Sequence, residues 1–409
     1  MTDGLNATPA APPVEPPRRG AAIRFVLLIG VLSFFADFTY EGARSVLGPY
    51  LAFLGASATV VGVVTGLGEF LGYGLRLVSG RWADATGRFW PIAIFGYVVQ
   101  MASVPALALT ESWPAAAALI VLERVGKAIR NPPRDVMLSH AGKQGGGLGW
   151  VFGIHEAMDQ FGAMFGPLLV AAVLAHAGDY HLAFATLLVP AVLNLAVLAL
   201  ARVVYPHPEA FEEQDDQAFG DRRIPRVFWT YLAGAALVAM GFADYPLIAY
   251  HFSKDGIVSG QWTAIFYAVA MAVSGSGSLL FGRLFDRYGF KVLIGLTLAA
   301  TAFAPLVFFG GFWAALLGAA VWGLGMGVHE SIIPAAVAPM VPLKRRASAY
   351  GLFTAGYGAA WFAGSAAIGA LYDRSILLAA VFCVATQLAA VPVFLWVARR
   401  RVAPGNLNS

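Results

Sequence analysis

Twelve long apolar runs, separated by short polar segments, constrain what this chain can fold into. Of its 409 residues, 59% are hydrophobic and only 12% are charged, whereas soluble proteins have about 45–50% and 25%. A helix needs about 20 apolar residues to cross a bilayer. By that measure the candidate spans lie at about 22–54, 59–79, 91–109, 114–138, 148–175, 181–204, 227–252, 260–281, 291–309, 313–341, 348–371 and 375–399.

The runs form two groups of six, which predicts an all-α membrane protein with two six-helix bundles. The first bundle covers residues 22–204 and the second covers 227–399. Residues 205–226 between them carry six acidic residues and three arginines, a composition typical of a solvated linker. Residues 1–21 are rich in proline, and we expect this segment and residues 400–409 to be tails.

The distribution of Lys and Arg predicts the orientation of the spans, because cytoplasmic loops carry an excess of these residues. Only Lys254 and Arg374 of the 27 basic residues fall between spans on one side of the predicted membrane. Seven lie within spans, and the others lie on the opposite side, which also holds both ends of the chain. We therefore expect both termini to be cytoplasmic. The chain's one cysteine, Cys383, excludes an internal disulfide.

One polar segment occurs twice, once in each group of runs. Residues 80–91 connect the second and third runs, and residues 282–291 occupy the same place in the second group. An internal repeat of this kind is typical of secondary transporters built from two related bundles. The repeated positions are Gly80, Asp84, Gly87 and Arg88 in the first copy and Gly282, Asp286, Arg287 and Gly289 in the second.

These two segments resemble the loop motif of the major facilitator superfamily, approximately G-x-L-a-D-r-x-G-r-k. In the fifth run, Gly153, Gly162, Gly166 and Pro167 are similar to the glycine and proline spacing of the superfamily's antiporter motif. The resemblance covers residues 22–399. It implies twelve transmembrane helices, transport by alternating access in a bacterial inner membrane, and pairing of the loop motif with the ends of neighbouring helices.

The first span carries three charged residues on one helical face: Asp37, Glu41 and Arg44. A charge at the helix centre is costly and should face a partner or a wet cavity. Two neighbouring, partly desolvated carboxylates do not both ionise easily, so we expect one of them to carry a transported proton. The alternative is a static ion pair of Arg44 with either carboxylate.

The fourth span carries a second charged stripe, in which Glu123, Lys127 and Arg130 follow one another at helical spacing. Arg124 lies on the neighbouring stripe. Pro132 and Pro133 interrupt the helical hydrogen bonds, which leaves the phase beyond them open. So much positive charge indicates either an anionic substrate or an internal network with the acids of the first, second and fifth spans.

Other acidic and histidine side chains within the spans complete the set of candidate residues. We expect Asp37, Glu41, Glu69, Glu123, Glu156 and Asp159 to take part in proton coupling. For substrate binding we select Arg44, Arg124, Lys127, Arg130, His155, Asp244, His329 and Glu330.

The sequence therefore predicts a proton-coupled exporter of a small molecule, acting as a monomer in the lipid bilayer. Proton-coupled uptake or exchange of an organic anion is the first alternative, favoured by the cations of the fourth span. A lipid mover on the same scaffold is the second. No nucleotide-binding loop, nucleophile elbow or metal-ligand spacing occurs, so we expect no enzyme activity, no metal, no cofactor and no nucleic acid partner.

Overall fold

A computed structural model describes residues 19–141, 148–208, 224–333, 336–337, 340–341 and 346–402, and all regular structure in these ranges is helical. The expected tails and most of the expected linker lie outside the described residues. The helices of the first half are α1 (Arg19–Arg44), α2 (Leu47–Phe53), α3 (Ala58–Thr86), α4 (Phe89–Ala106), α5 (Trp113–His140), α6 (Leu148–Ala177), α7 (Tyr180–Thr186) and α8 (Leu188–Val204).

The second half has the same general order. Its helices are α9 (Arg226–Met240), α10 (Tyr245–Lys254), α11 (Gly260–Tyr288), α12 (Phe290–Ala300), α13 (Phe303–Phe309), α14 (Phe312–Gly327), α15 (Arg346–Arg374) and α16 (Ile376–Val402). A π-helical turn, Val328–Ile332, continues α14. Among the described residues, ten helical segments are long and apolar enough to cross a membrane. The helices α5 and α15 are as long as these segments but are not among the ten.

The two halves pack along three helix pairs: α3 against α15, α6 against α11, and α2 against α10. Because successive spans alternate in direction, one face of the protein holds Arg19, Val204, Arg226 and the C-terminal end of α16. We call this face the linker side and the opposite face the far side. The contact of α2 with α10 closes the seam between the halves near the far side.

Glycine makes this closure possible. A Cβ atom at Gly48 of α2 would lie 1.8 Å from the carbonyl oxygen of Pro246 and 2.6 Å from the amide nitrogen of Tyr250 on α10. No larger residue fits without moving one of the two backbones. The small residue therefore lets the two helices approach until their backbones touch.

The glycines of the antiporter-like motif pack α6 against α1. Cβ atoms at Gly162 and Gly166 would lie 2.3 Å and 2.1 Å from the carbonyl oxygens of Phe34 and Phe38. A Cβ atom at Gly153 would meet no atom within 4 Å. Two of the three glycines are thus needed for close packing within the first half, and Pro167 lies inside the continuous helix.

The expectation of a polar turn at residues 80–91 is partly wrong. Helix α3 continues through most of this segment and ends at Gly87, whose φ of +63° caps the helix, and α4 begins at Phe89. In the second copy α11 continues to Tyr288, and Gly289 has a φ of +59°. The final glycine of each copy thus provides the left-handed backbone that stops the helix. Gly80, Gly282 and Arg287 lie in these helix ends, and Arg88 lies between α3 and α4. The side chains of Asp84 and Asp286 lie outside the described residues.

We predict that Gly166→Ala lowers the thermal stability of the purified protein by about 1–3 kcal/mol, because the added methyl group overpacks the α1–α6 contact. Thermal unfolding in detergent measures the change. Gly153→Ala is the matched control in the same motif, and it should leave stability unchanged or slightly raise it. Equal losses in both variants would contradict this account of the motif.

Candidate functional site

The first and seventh spans are broken near their middle, and the breaks bring opposite charges together. Helix α1 ends at Arg44 and α2 begins at Leu47, while α9 ends at Met240 and α10 begins after Asp244. The sequence predicted continuous spans here. A cation at a helix C-terminus and an anion at a helix N-terminus are both stabilised by the helix dipole. In membrane proteins, the free helix ends at such breaks can hold charged groups or ligands.

Arg44 joins the two halves through carboxylates on both sides. Its Nη2 atom lies 3.0 Å from Oε1 of Glu69 on α3 and 3.6 Å from Oδ1 of Asp244. Asp244 is almost completely buried and also accepts hydrogen bonds from Trp361 and Ser365 on α15, at 3.0 and 2.9 Å. The Arg44 side chain therefore links three spans, two from the second half.

Glu69 is shared between two arginines. Besides Arg44, it contacts Nη2 of Arg124 at 2.9 Å, and Nε of Arg124 lies 3.6 Å from Glu123. Glu123 accepts a hydrogen bond from Gln100 at 2.7 Å. The acids and cations of α3 and α5 are thus paired with one another.

Tyr40, which was not selected from the sequence, lies at the centre of the cations. Its hydroxyl accepts a hydrogen bond from Arg44 at 2.9 Å. The Nζ of Lys127 lies 4.0 Å from the centre of its ring, and the guanidinium carbon of Arg124 lies 4.7 Å from it. Cations over an aromatic face are attracted to it when desolvated. Tyr40 follows Asp37 by three residues, so the sequence places it on the same helical face as the charged residues. Aromatic residues are so common in the spans, however, that this position alone does not mark Tyr40 as functional.

Asp37 pairs with two further cations of α5, Lys127 and Arg130. Its Oδ1 atom lies 3.7 Å from Nζ of Lys127 and 3.4 Å from Nη2 of Arg130. The fully buried guanidinium of Arg130 also donates to Gln100 at 2.5 Å and to Tyr97 at 3.1 Å. Asp37 and Glu41 therefore do not share one site. Each has its own partner, and Arg44 lies at 4.0 Å from Glu41 but closer to Glu69.

A chain of polar groups connects α1, α5 and α6 on the linker-side part of the first half. Arg134 donates to the hydroxyl of Ser33 at 3.3 Å, and this hydroxyl lies 2.6 Å from Nε2 of His155. Because an arginine can only donate, the Ser33 proton is free to point at Nε2. Nδ1 of His155 then carries a hydrogen and faces Asp159 at 3.6 Å.

His155, Glu156 and Asp159 are also close enough to hold a metal ion, since their ligand atoms lie within 4.8 Å of one another. The two ring nitrogens of His155 already face Ser33 and Asp159, however. A metal would have to displace one of these contacts. The geometry fits a polar relay better than a metal centre.

The second half contributes fewer charges, and an uncharged side chain of this half also bonds to the first half. Glu41 accepts a hydrogen bond from the hydroxyl of Tyr267 on α11 at 2.5 Å, a second bond across the seam besides that of Asp244. His329 bonds instead within its own half, to Tyr357, and its ring lies 4.2 Å from that of Phe242.

Glu330 differs from the other substrate-binding candidates because its side chain is exposed. It lies on the π-helical turn, and within the described part of the chain its carboxylate has no hydrogen bond or ion pair. It lies within electrostatic range of Glu156, Glu41 and Lys127. Glu156 is also exposed and accepts a hydrogen bond from Gln160 at 3.0 Å. These two carboxylates lie on the linker-side part of the protein, opposite the closed far side.

A carboxylate latch holds the far side closed. Asp373, at the end of α15, accepts hydrogen bonds from the amides of Ala58 and Thr59 at 3.1 and 2.8 Å, and from the Thr59 hydroxyl at 2.5 Å. An aspartate of the second half thus caps the first turn of α3 in the first half. Partial burial acts to raise the pKa of Asp373, but the hydrogen bonds from Thr59 and Ala58 outweigh it and hold the pKa below its usual value.

The profile of the Major Facilitator Superfamily matches residues 27–275 and 242–409, and the chain belongs to this family. It is therefore a multi-pass membrane transporter, which moves small molecules by alternating access. An uncharacterized protein of Mycobacterium tuberculosis is 41% identical over 390 residues, covering 94% of this chain and 95% of that protein. The fosmidomycin resistance protein of Escherichia coli is 25% identical over 242 residues, 57% of this chain and 58% of that protein.

Solved structures agree with the fold. The nucleoside transporter NupG superposes with a TM-score of 0.69 at 16% identity, covering 93% of this chain and 99% of that one. A bacterial homolog of the lysosomal transporter Spinster, captured inward-facing and occupied, gives a TM-score of 0.67 at 18% identity, covering 96% of this chain and all of that one. At these identities the likeness extends to the fold alone.

We predict that Glu69→Gln destabilises the protein by about 3–5 kcal/mol, because two buried arginines lose the carboxylate that they share. Thermal unfolding of the purified protein measures the loss. Glu156→Gln is the control, since its exposed carboxylate contacts only Gln160 and should change stability by less than about 1 kcal/mol. A Glu69→Gln variant as stable as the control would show that the network contributes little to folding.

We predict that Asp373→Asn loosens the far side without making it sensitive to pH in the neutral range. Since the pKa of Asp373 is lowered in the closed state, the latch is intact above the ordinary aspartate pKa of about 3.9 and is lost only as pH falls below it. A cysteine at the buried Ala58 position should react faster with a membrane-impermeant maleimide in Asp373→Asn than in the parent when both are labelled at the same pH, and the ratio of the two rates should be the same at pH 7 and pH 8. Asp255→Asn, another far-side carboxylate, is the control. An unchanged rate in Asp373→Asn contradicts the latch.

Proposed function

We propose that the protein exports a small molecule from the cytoplasm in exchange for protons. The observation that carries this proposal is the position of Arg44, which is shared between Glu69 of the first half and Asp244 of the second. A charge pair that crosses the seam is strong only while the carboxylate is ionised. Protonation of Asp244 or Glu69 therefore changes the balance between the closed and open far side.

The contact of Glu41 with Tyr267 gives a second place where a proton would act on the seam. An ionised Glu41 can only accept the hydrogen bond from Tyr267, whereas a protonated Glu41 can also donate a hydrogen bond to another group. The polar chain of Ser33, His155 and Asp159 would carry protons from Asp37, one helical turn from Ser33, to the linker side, where exchange for an exported molecule releases them. Asp37, Glu41, Glu69, Glu123, Glu156 and Asp159 remain our proposed proton-coupling residues.

Export is supported by three observations. The Lys and Arg distribution favours a cytoplasmic linker side. The exposed carboxylates Glu156 and Glu330 face that side, where a cytoplasmic substrate would enter. The likeness to a protein named for antibiotic resistance is the third.

The organic-anion alternative has less support from the contacts. Arg44, Arg124, Lys127 and Arg130 each have a carboxylate within 4.0 Å. An anionic substrate would have to displace these partners. Of the proposed substrate-binding residues, Glu330 is the one whose charge has no partner within the described residues, and it is negative.

Proteoliposomes with a trapped pH dye test the proposal. With an imposed proton gradient and a panel of cations, anions and neutral drugs, we expect one class of compound to dissipate the gradient in the parent protein. The Asp37→Asn/Glu41→Gln double variant and Asp244→Asn should each lose this flux, while Glu111→Gln, an exposed far-side change of the same type, should retain it. If a labelled anion exchanges against itself without moving protons, the protein is an anion carrier and not a proton-coupled exporter.

A further inference from the structure

A cleft of about 310 Å³ lies on the seam between the halves, away from the charged network. Its walls come from two helices alone, α6 of the first half and α11 of the second. The residues that shape it are Glu156, Ala157, Phe161, Met164, Met271 and Ala272. Its size is at the lower end of the range of pockets that hold drug-sized molecules, about 300–1,000 Å³.

The cleft lies inside the membrane-spanning part and is lined almost entirely by apolar groups. Phe161 is 53% exposed, and Ala157 and Ala272 are exposed as well. Glu156 follows the start of α6 by eight residues, so the cleft lies in the linker-side half of the spans. Exposed apolar side chains at this depth face acyl chains, and methionines adapt their shape to varied apolar groups.

Besides two serines of α11, Ser276 and Ser278, the polar groups that line the cleft are Glu156 and Gln160. Glu156 is its one charged lining residue. Oε1 of Gln160 is buried and accepts no hydrogen bond from the described residues, and Gln160 packs against Gly275 of α11, where a Cβ atom would lie 3.1 Å from this oxygen. The amide hydrogens of Gln160 point to Glu156. The cleft therefore combines an apolar wall with a carboxylate and an unpaired carbonyl oxygen, which is complementary to a positive charge.

We propose that this cleft admits amphipathic organic cations sideways from the linker-side leaflet, with the apolar part against Phe161, Met164 and Met271 and the charge at Glu156. The proposal rests on the exporter function and names its substrate class. Glu330 is a second exposed carboxylate on the linker-side part of the protein, and a cation released from the cleft would pass to it. A cation bound at either carboxylate would also screen the repulsion between Glu156 and Glu330.

Binding to the purified full-length protein in nanodiscs tests this without any proton gradient. The probe is tetraphenylphosphonium, with tetraphenylborate as the anion of the same shape and choline as a hydrophilic cation. Glu156→Gln and Ala157→Trp should each weaken tetraphenylphosphonium binding roughly tenfold or more, since one removes a charged contact and the other fills the cleft. Glu156→Asp should retain most of the affinity. Ala175→Trp, an exposed change near the other end of α6, should bind as the parent does, and size-exclusion profiles confirm that each variant is folded.

The outcomes separate this inference from the proposed function. Failure of tetraphenylphosphonium to bind, equal binding of tetraphenylborate, or unchanged affinity in both Glu156→Gln and Ala157→Trp overturns the cleft as a cation site. Proton flux with some other compound would then still support the exporter. Selective cation binding at the cleft with no proton flux for any compound would keep the site and remove the proton-coupled export.

Discussion

The neutralisation of Arg44 is the interaction on which the arrangement of this protein depends. A guanidinium in the middle of a membrane protein is costly unless carboxylates surround it. Here one carboxylate comes from each half, Glu69 and Asp244, and the breaks in the first and seventh spans bring Arg44 and Asp244 to helix ends that favour their charges. The same bond that permits the charge to be buried also holds the halves together. Any event that neutralises a carboxylate therefore acts on the packing of the two halves.

The two halves contribute unequally to the charged contacts. The first half contains a nearly complete set of ion pairs, centred on Tyr40, and it can remain intact while the seam opens. The second half supplies a few groups that reach across, namely Asp244, Tyr267 and the latch residue Asp373. Near the linker side, Glu156 and Glu330 are exposed and lack ion-pair partners within the described residues. In this arrangement the closed far side is held by ionised carboxylates, and the exposed acids are available to a substrate.

The sequence predicted the membrane-embedded helical class and the family, because composition and the two loop motifs are strong, local signals. It also selected most of the charged residues that meet at the seam. It could not predict the partners: Asp37, Glu41 and Arg44 share a helical face, yet each pairs with a different helix, and this depends on how six spans pack. The breaks after Arg44 and Met240 were missed because apolar residues continue through them. Tyr40 and Gln100 were missed because their residue types are ordinary in such spans.

The distance across the far side tests most directly whether the Arg44 bridge controls opening. Spin labels at Ser112→Cys and Ser259→Cys, both exposed on the far side, report it in a background in which the buried Cys383 is replaced by serine. The account predicts one short distance in the parent at pH 8, and a growing population of longer distances when pH falls or when Asp244 is changed to asparagine. A distribution that stays the same at low pH and in Asp244→Asn would contradict the claim that ionised carboxylates at Arg44 keep the far side closed.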